Sequence, residues 1–357
     1  MRLHALITGA MVLAGPASAQ HVDDRPQDAG VSAQNVVADS EFTPELMTAV
    51  EKGLKFLATE QNEDGSFGGG RYGRNVAITA LACLAFMADG NLPGRGPYGE
   101  IVERGLEYVL ANSTESGLIA AEATNGPMYG HGFAALFLGE VYGMTIGGGD
   151  TRQTARIHEA LVKAVRLIEQ TQNDEGGWRY NPVPYDADIS VTICQVMALR
   201  SARNAGIEVS KDTIDRAVDY VRRCQLADGG FRYQLDQGSS AWPRSAAGVA
   251  SLFYAGIYED DAIDRGLEYL TRAALPGQPA RSRAHYYYGH YYAVQAMYLA
   301  GGEWWANWWT GIREELIDAQ LRDSGKWEDR GVGDSYATAM ALIILQMPKR
   351  YLPIFQK

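Results

Sequence analysis

The sequence predicts an all-α fold, a single (α/α)6 toroid in which six helical hairpins supply twelve main helices around one ring. Three observations lead there. Apolar residues recur at helical spacing through almost the whole chain, and strand-type alternation is nearly absent. One hairpin-sized segment recurs from Lys52, Arg104, Lys163, Arg216, Arg265 and Gly311, a period of about fifty residues. The 40 glycines exceed ordinary usage and read as the punctuation of those repeats.

From the start, residues 1–19 read as a signal peptide: a basic Arg2, an apolar run from Ala5 to Ala14, and the small-residue site Ala17-Ser18-Ala19 before Gln20. Cleavage is expected near Ala19, which would leave an exported protein, periplasmic or extracellular. Neither this run nor any later one reaches the roughly 18 apolar residues a membrane-crossing helix needs, so no transmembrane segment is expected after signal removal. Residues 20–43 are polar and read as a flexible linker, and residues 44–357 form the toroid.

Each repeat opens with an amphipathic helix such as KGLKFLATEQ from Lys52 or RAVDYVRRCQ from Arg216, then a Gly-rich turn. A second, more apolar helix follows: NVAITALACLAFMADG, HGFAALFLGEVYG, DISVTICQVMALRSARNAG, RSAAGVASLFYAG, HYYAVQAMYLAGG and DSYATAMALIIL. Most of these end in glycine, a helix stop. Helices apolar on nearly all sides belong inside, so six second helices form an inner ring within six first helices. Phe86, Phe137, Met197, Phe253, Met297 and Leu345 are candidates to plug its centre. Cys83, Cys194 and Cys224 lie in helices outside any metal-ligand spacing and read as buried thiols.

Four turns share a fuller pattern, Gln61 to Phe67, Gln172 to Trp178, Gln225 to Phe231 and Gln320 to Trp327, each with Gln, an acid, glycine and an aromatic. They resemble the Q-W repeats of squalene and oxidosqualene cyclases, shared more loosely with protein prenyltransferase β-subunits. The likeness runs over about residues 44 to 347 and points to the terpene cyclase and prenyltransferase repeat family. Physically the Gln can bridge backbone groups of neighbouring helix ends while the aromatic packs, so the motif staples. The cyclase resemblance implies an acid motif, D-x-D-D, and matches Asp186-Ala-Asp188-Ile189, placing a proton-donating acid at Asp188 with isoleucine at the last carboxylate. The prenyltransferase resemblance would imply a zinc set of Asp, Cys and His; no inner helix offers one, so neither metal nor cofactor is expected.

Aligning the inner helices on a small or β-branched residue one turn in places Asn75, His131, Asp188, Arg244, His290 and Asp334 at one equivalent position, a polar collar at the helix N-termini. Capping accounts for Asn75, Asp188 and Asp334. His131, Arg244 and His290 are poor caps and carry the functional signal. Asp188 with Arg244 is a candidate ion pair, and Asp334 is placed to orient His290 as a general base. The candidate catalytic residues are thus Asp186, Asp188, His290 and Asp334. Asn75, His131 and Arg244, with Tyr129, Trp242, Tyr287 and Tyr291 from the aromatic surroundings, are the candidate ligand contacts.

A net charge of -11 with interspersed signs excludes a nucleic-acid partner. Gly68 to Gly73 matches G-x-G-x-x-G but follows no strand, which excludes the dinucleotide reading. Three functions remain: an exported binding protein whose barrel mouth holds a small, isoprenoid-like or glycan ligand, or whose outer surface meets a protein partner; an isoprenoid cyclase with Asp188 as acid; and a secreted carbohydrate-active enzyme using paired carboxylates.

Overall fold

The computed structural model describes residues 41–70, 72–121, 126–146, 150–278 and 284–356. The expected signal peptide, and the linker up to residue 40, lie outside the described residues. The chain divides into two units, Met1–Glu41 and Phe42–Lys357, and every element below belongs to the second.

Twelve α-helices and no strands stand among the described residues. Six outer helices, α1 (Pro44–Thr59), α3 (Gly99–Ala111), α5 (Thr151–Gln170), α7 (Lys211–Arg223), α9 (Asp261–Ala274) and α11 (Gly302–Ala319), alternate with six inner ones. The inner helices are α2 (Val76–Met87), α4 (Met128–Thr145), α6 (Ile189–Asn204), α8 (Trp242–Tyr254), α10 (Tyr286–Ala300) and α12 (Asp334–Leu345). Local chemistry starts them. The hydroxyl of Thr43 accepts from Leu46 N–H at 3.2 Å ahead of Pro44, and Asp150, Ser210 and Asp260 cap α5, α7 and α9 in the same way. The outer helices bury one stripe; the inner helices are buried on nearly every side.

Each inner helix packs on the next, and α12 returns to α2 and α1, so the ring is closed. The turns make this possible. Gly65, Gly117, Gly176, Gly229 and Gly325 all have φ between +75° and +100°, where a side chain is strained. A Cβ on them would also lie 2.3 Å from Arg104 O, 2.2 Å from Lys163 O, 2.2 Å from Arg216 O, 2.3 Å from Arg265 O and 2.8 Å from Lys52 O. Each turn therefore presses its bare backbone on the following outer helix, and the last presses on α1. The glutamines act with them: Nε2 of Gln61, Gln172, Gln225 and Gln320 donates both within its own turn and to Ile101, Thr213, Ala262 and Ala49 of the following outer helix, at 2.7–3.0 Å.

The centre is filled, but not as the sequence suggested. Phe86 turns outward to meet Phe67 and Tyr98. The axis is closed by Phe133 of α4 and Tyr291 of α10, from opposite sides of the ring, with ring centroids 6.1 Å apart, and by Tyr292, whose hydroxyl lies 3.3 Å from Cys194 Sγ. The far end is covered by the C-terminal turn Pro353–Phe355 against α4 and α6, where Ile354 N–H donates to Glu140 at 3.0 Å. All three cysteines are free and buried.

Candidate functional site

The N-terminal ends of the inner helices open on a basin above the Phe133 and Tyr291 tier. It has two adjoining lobes. The larger, about 980 Å³, is lined by Tyr129, Tyr180, Tyr233, Trp242, Tyr269 and Tyr288 together with Arg244, Arg272 and Asp228. The smaller, about 620 Å³, is mainly apolar, with Val76, Ile78, Leu81, Phe133, Val332 and Met340 around Asn75 and Tyr72. Tyr129, Tyr180, Tyr288 and His285 border both lobes and form a waist between them.

The collar expected from sequence is not one tier. Asn75 and Asp188 immediately precede α2 and α6 and cap them, while Asp334 is the first residue of α12, Arg244 the third of α8, His131 the fourth of α4 and His290 the fifth of α10. The register is set by a different contact. The side chains of Thr79, His131, Thr192, Ser245 and Thr338 each accept the backbone N–H of the turn residue Phe67, Ile119, Trp178, Phe231 or Trp327, at 2.8–3.2 Å. His131 is thus the equivalent of Thr79, not of Asn75. An inner helix apolar all round carries no marker of its own register, and small residues one turn apart fit either alignment. His131 is fully buried and lines neither lobe; burial pulls its pKa down to about 4, against the opposing Ala164 carbonyl, so its imidazole is neutral near pH 7.

The two expected pairs do not form. Asp188 faces Arg179, with Nε 3.7 Å from Oδ2, and Arg179 also pairs with Asp186. Arg244 instead donates from Nε to Phe231 O at 3.3 Å and from Nη2 to Ser239 O at 2.6 Å. His290 is enclosed by the rings of Trp242, Tyr286 and Trp308, with centroids 4.8, 4.5 and 5.6 Å away, and Asp334 accepts from Lys326 Nζ at 2.8 Å. The carboxylates that paired-acid chemistry would need do not face each other across the basin.

Asp188 is the most perturbed acid here. It is fully buried, Oδ1 accepts from Ser190 and Val191 N–H at 2.9 Å each, and Oδ2 accepts from the Tyr233 hydroxyl at 3.3 Å. Burial raises its pKa to about 6, against the lowering effect of those N–H groups, Arg179 and Tyr233. It does not itself line the basin; Tyr233, bonded to Tyr180 through their hydroxyls, stands between. Of the other expected contacts, Asn75, Tyr129, Trp242 and Arg244 line the basin, whereas Tyr287 and Tyr291 are buried away from its wall. Asp186 lies behind the wall with Arg179.

Sequence reasoning missed Arg179, Tyr180, Tyr233, Tyr269 and Arg272. A signal for three of them was present: Gly176-Gly-Trp-Arg179-Tyr180 and Gly229-Gly-Phe-Arg-Tyr233 are the same five-residue motif, extended two residues past the aromatic. Among the described residues no three His, Cys, Asp or Glu side chains cluster as metal ligands would, and no helix is long and apolar enough to cross a membrane.

Comparison with known proteins agrees with this architecture. Drimenyl diphosphate synthase of Streptomyces showdoensis is 29% identical over 198 residues, 53% of this chain and 33% of that protein. That of Streptantibioticus cattleyicolor is 24% identical over 279 residues, 66% of this chain and 48% of the other. The chain therefore spans half or less of the length of these relatives. Among solved structures, the type II terpene cyclase MstE from Scytonema superposes with a TM-score of 0.57 at 15% identity, covering 87% of this chain and 98% of that one. The α-1,6-mannanase GH76A of Salegentibacter sp. HEL1_6 superposes with a TM-score of 0.64 at 10% identity, covering 84% and 98%. Such distant likenesses carry the fold alone. Residues 34–276 match the model of the prenyltransferase alpha-alpha toroid domain, and with its closed ring of hairpins the chain belongs to that family.

Proposed function

We propose that this toroid is a binding protein for a small isoprenoid-like ligand, held in the basin at the inner-helix N-termini. The observation that carries the reading is the pairing of an apolar lobe of about 620 Å³ with an aromatic, partly charged lobe of about 980 Å³ across a tyrosine waist. The apolar lobe suits a prenyl chain, and tyrosine faces accept its double bonds. Terpene cyclases among the relatives and structural neighbours support the ligand class. A glycan is the competing ligand, suggested by the mannanase likeness, but Asp186, Asp188 and Asp334 are tied to Arg179, helix N–H groups and Lys326 instead of facing one another.

Binding is favoured over turnover by the place of Asp188. It caps a helix, holds its acidity through a pKa raised to about 6, and is separated from the basin by Tyr233. Protonating an alkene needs a far stronger acid in contact with the double bond. The cyclase reading keeps one supporting observation, the hydroxyl path from Asp188 through Tyr233 to Tyr180 on the basin wall.

Titration with farnesol, geranylgeraniol and α-1,6-mannotriose, followed by tryptophan fluorescence with Trp242→Phe as control, separates these readings. Saturable quenching by the prenols, no response to the glycan and no new product on long incubation are expected. A response to mannotriose alone overturns the ligand class. A cyclised product that disappears in Asp188→Asn overturns binding in favour of catalysis. Export belongs to the same proposal and rests on the Arg2, apolar and Ala17-Ser18-Ala19 pattern; N-terminal sequencing of the protein recovered outside the cytoplasm should begin at Gln20.

A further inference from the structure

We infer that the larger lobe holds the anionic head of an amphiphile, a phosphate or carboxylate, on Arg244. The inference rests on the isoprenoid reading of the smaller lobe and adds a head group that a hydrocarbon lacks.

Arg244 is half-buried on the wall of this lobe, and its only polar partners are neutral, the carbonyls of Phe231 and Ser239. Its guanidinium lies 6.0 Å from the Tyr233 ring centroid, and no carboxylate lies within ion-pair distance of it. A charge drawn partly out of water without a counter-ion is costly. Here two carbonyls hold the guanidinium in place and leave its charge unneutralised.

The surroundings make the imbalance larger. Arg244 is the third residue of α8, at the positive end of the helix dipole, where a cation is unfavourable and an anion favourable. The helices α2 and α6 have Asn75 and Asp188 as caps, but α8 is preceded by Ala241, which supplies no side-chain acceptor. A second arginine, Arg272 of α9, lines the same lobe; it donates to Asp228 O at 2.9 Å and meets Glu268 only at 3.8 Å. The one carboxylate on this wall, Asp228, is occupied by the Ser240 hydroxyl at 2.6 Å and Gly230 N–H at 3.0 Å. Oxygens of a phosphate or carboxylate would supply the missing charge, while a prenyl chain crosses the waist of Tyr129, Tyr180 and Tyr288 into the apolar lobe.

Farnesyl diphosphate, farnesoic acid, farnesol and inorganic diphosphate are each titrated into the wild-type protein, Arg244→Gln and Arg244→Lys, at two salt concentrations. The anionic prenyl compounds are expected to bind roughly tenfold or more tighter than farnesol, an advantage weakened by salt, erased in Arg244→Gln and largely kept in Arg244→Lys. The stronger of the two anions identifies the head as phosphate or carboxylate. Farnesol binding as tightly as both anions in the wild type, or Arg244→Gln weakening farnesol equally, overturns the head-group site and leaves the isoprenoid reading standing. Conversely, if no prenyl compound binds but inorganic diphosphate does and needs Arg244, the isoprenoid reading falls and the anion site survives. Absence of binding by all four overturns both. Circular dichroism of the folded variants guards against loss of the Phe231 and Ser239 contacts.

Discussion

Asp188 and Glu140 show how burial sets the behaviour of single carboxylates in this ring. Both lie in the inner layer, and burial raises both pKa values, to about 6 and about 7. Glu140 accepts from the Ser201 hydroxyl at 2.6 Å and from Ile354 N–H at 3.0 Å, which only partly offsets its desolvation. A carboxyl with a raised folded pKa favours folding while it is protonated. Its contribution is complete below the unfolded pKa and is lost as pH rises through the folded one. Stability should therefore fall as pH rises from about 4.5 to about 7 through Glu140. Glu140→Gln keeps an acceptor for Ile354 N–H and cannot ionise, so urea denaturation at pH 5 and pH 8 should show the loss reduced by ~2–3 kcal/mol. An unchanged pH dependence would contradict this account. The Asp186-Ala-Asp188 motif was legible in the sequence, but its real partner Arg179 was not: the guanidinium arrives from the preceding turn, and nothing in the linear spacing distinguishes it from Arg244.

At the scale of the element, periodicity and caps located the helices well, because an amphipathic stripe and a capping residue are local properties. Asn75 and Asp188 were identified as caps and act as caps, each accepting from two backbone N–H groups. The stapling role of the turns was also legible, and it yields a quantitative expectation. Gln172 Nε2 donates to Gly176 O and Thr213 O at 2.8 Å each, in a fully buried setting. Gln172→Ala leaves two buried carbonyls without that donor and should cost about 2–4 kcal/mol, read as a lower urea midpoint with an unchanged slope. What failed was the register of the inner helices, His131 and Arg244 above all. Both depend on contacts to a turn in another part of the hairpin, His131 to Ile119 and Arg244 to Phe231.

For the whole molecule, closure is the decisive event. Trp327 is fully buried, donates from Nε1 to Leu316 O at 2.8 Å, and packs so closely on α1 that a Cβ on Gly53 would lie 2.7 Å from its ring. With Gln320 on Ala49 and Gly325 on Lys52, this turn joins the end of the ring to its beginning. Trp327→Ala should cost roughly 3–5 kcal/mol and should raise amide exchange first in α1 and α12, the two sides of the seam. Uniform exchange throughout the ring would show that closure is not a separable unit. The same closure aligns the helix N-termini on one side, and so creates the basin.

The repeat, its six hairpins, the layer each helix occupies and the residues that cap and staple were determined by the sequence, since periodicity, glycine and capping chemistry act over a few residues. Tertiary structure alone decided which side chains meet inside the ring. Phe133 and Tyr291 close the axis from opposite helices, Arg179 takes the place expected for Arg244 beside Asp188, and Arg244 is left on the basin wall with carbonyls for partners. The reason is geometric: a ring brings together residues far apart in the chain, and a one-turn shift of an all-apolar helix changes those meetings without changing the pattern that produced the helix.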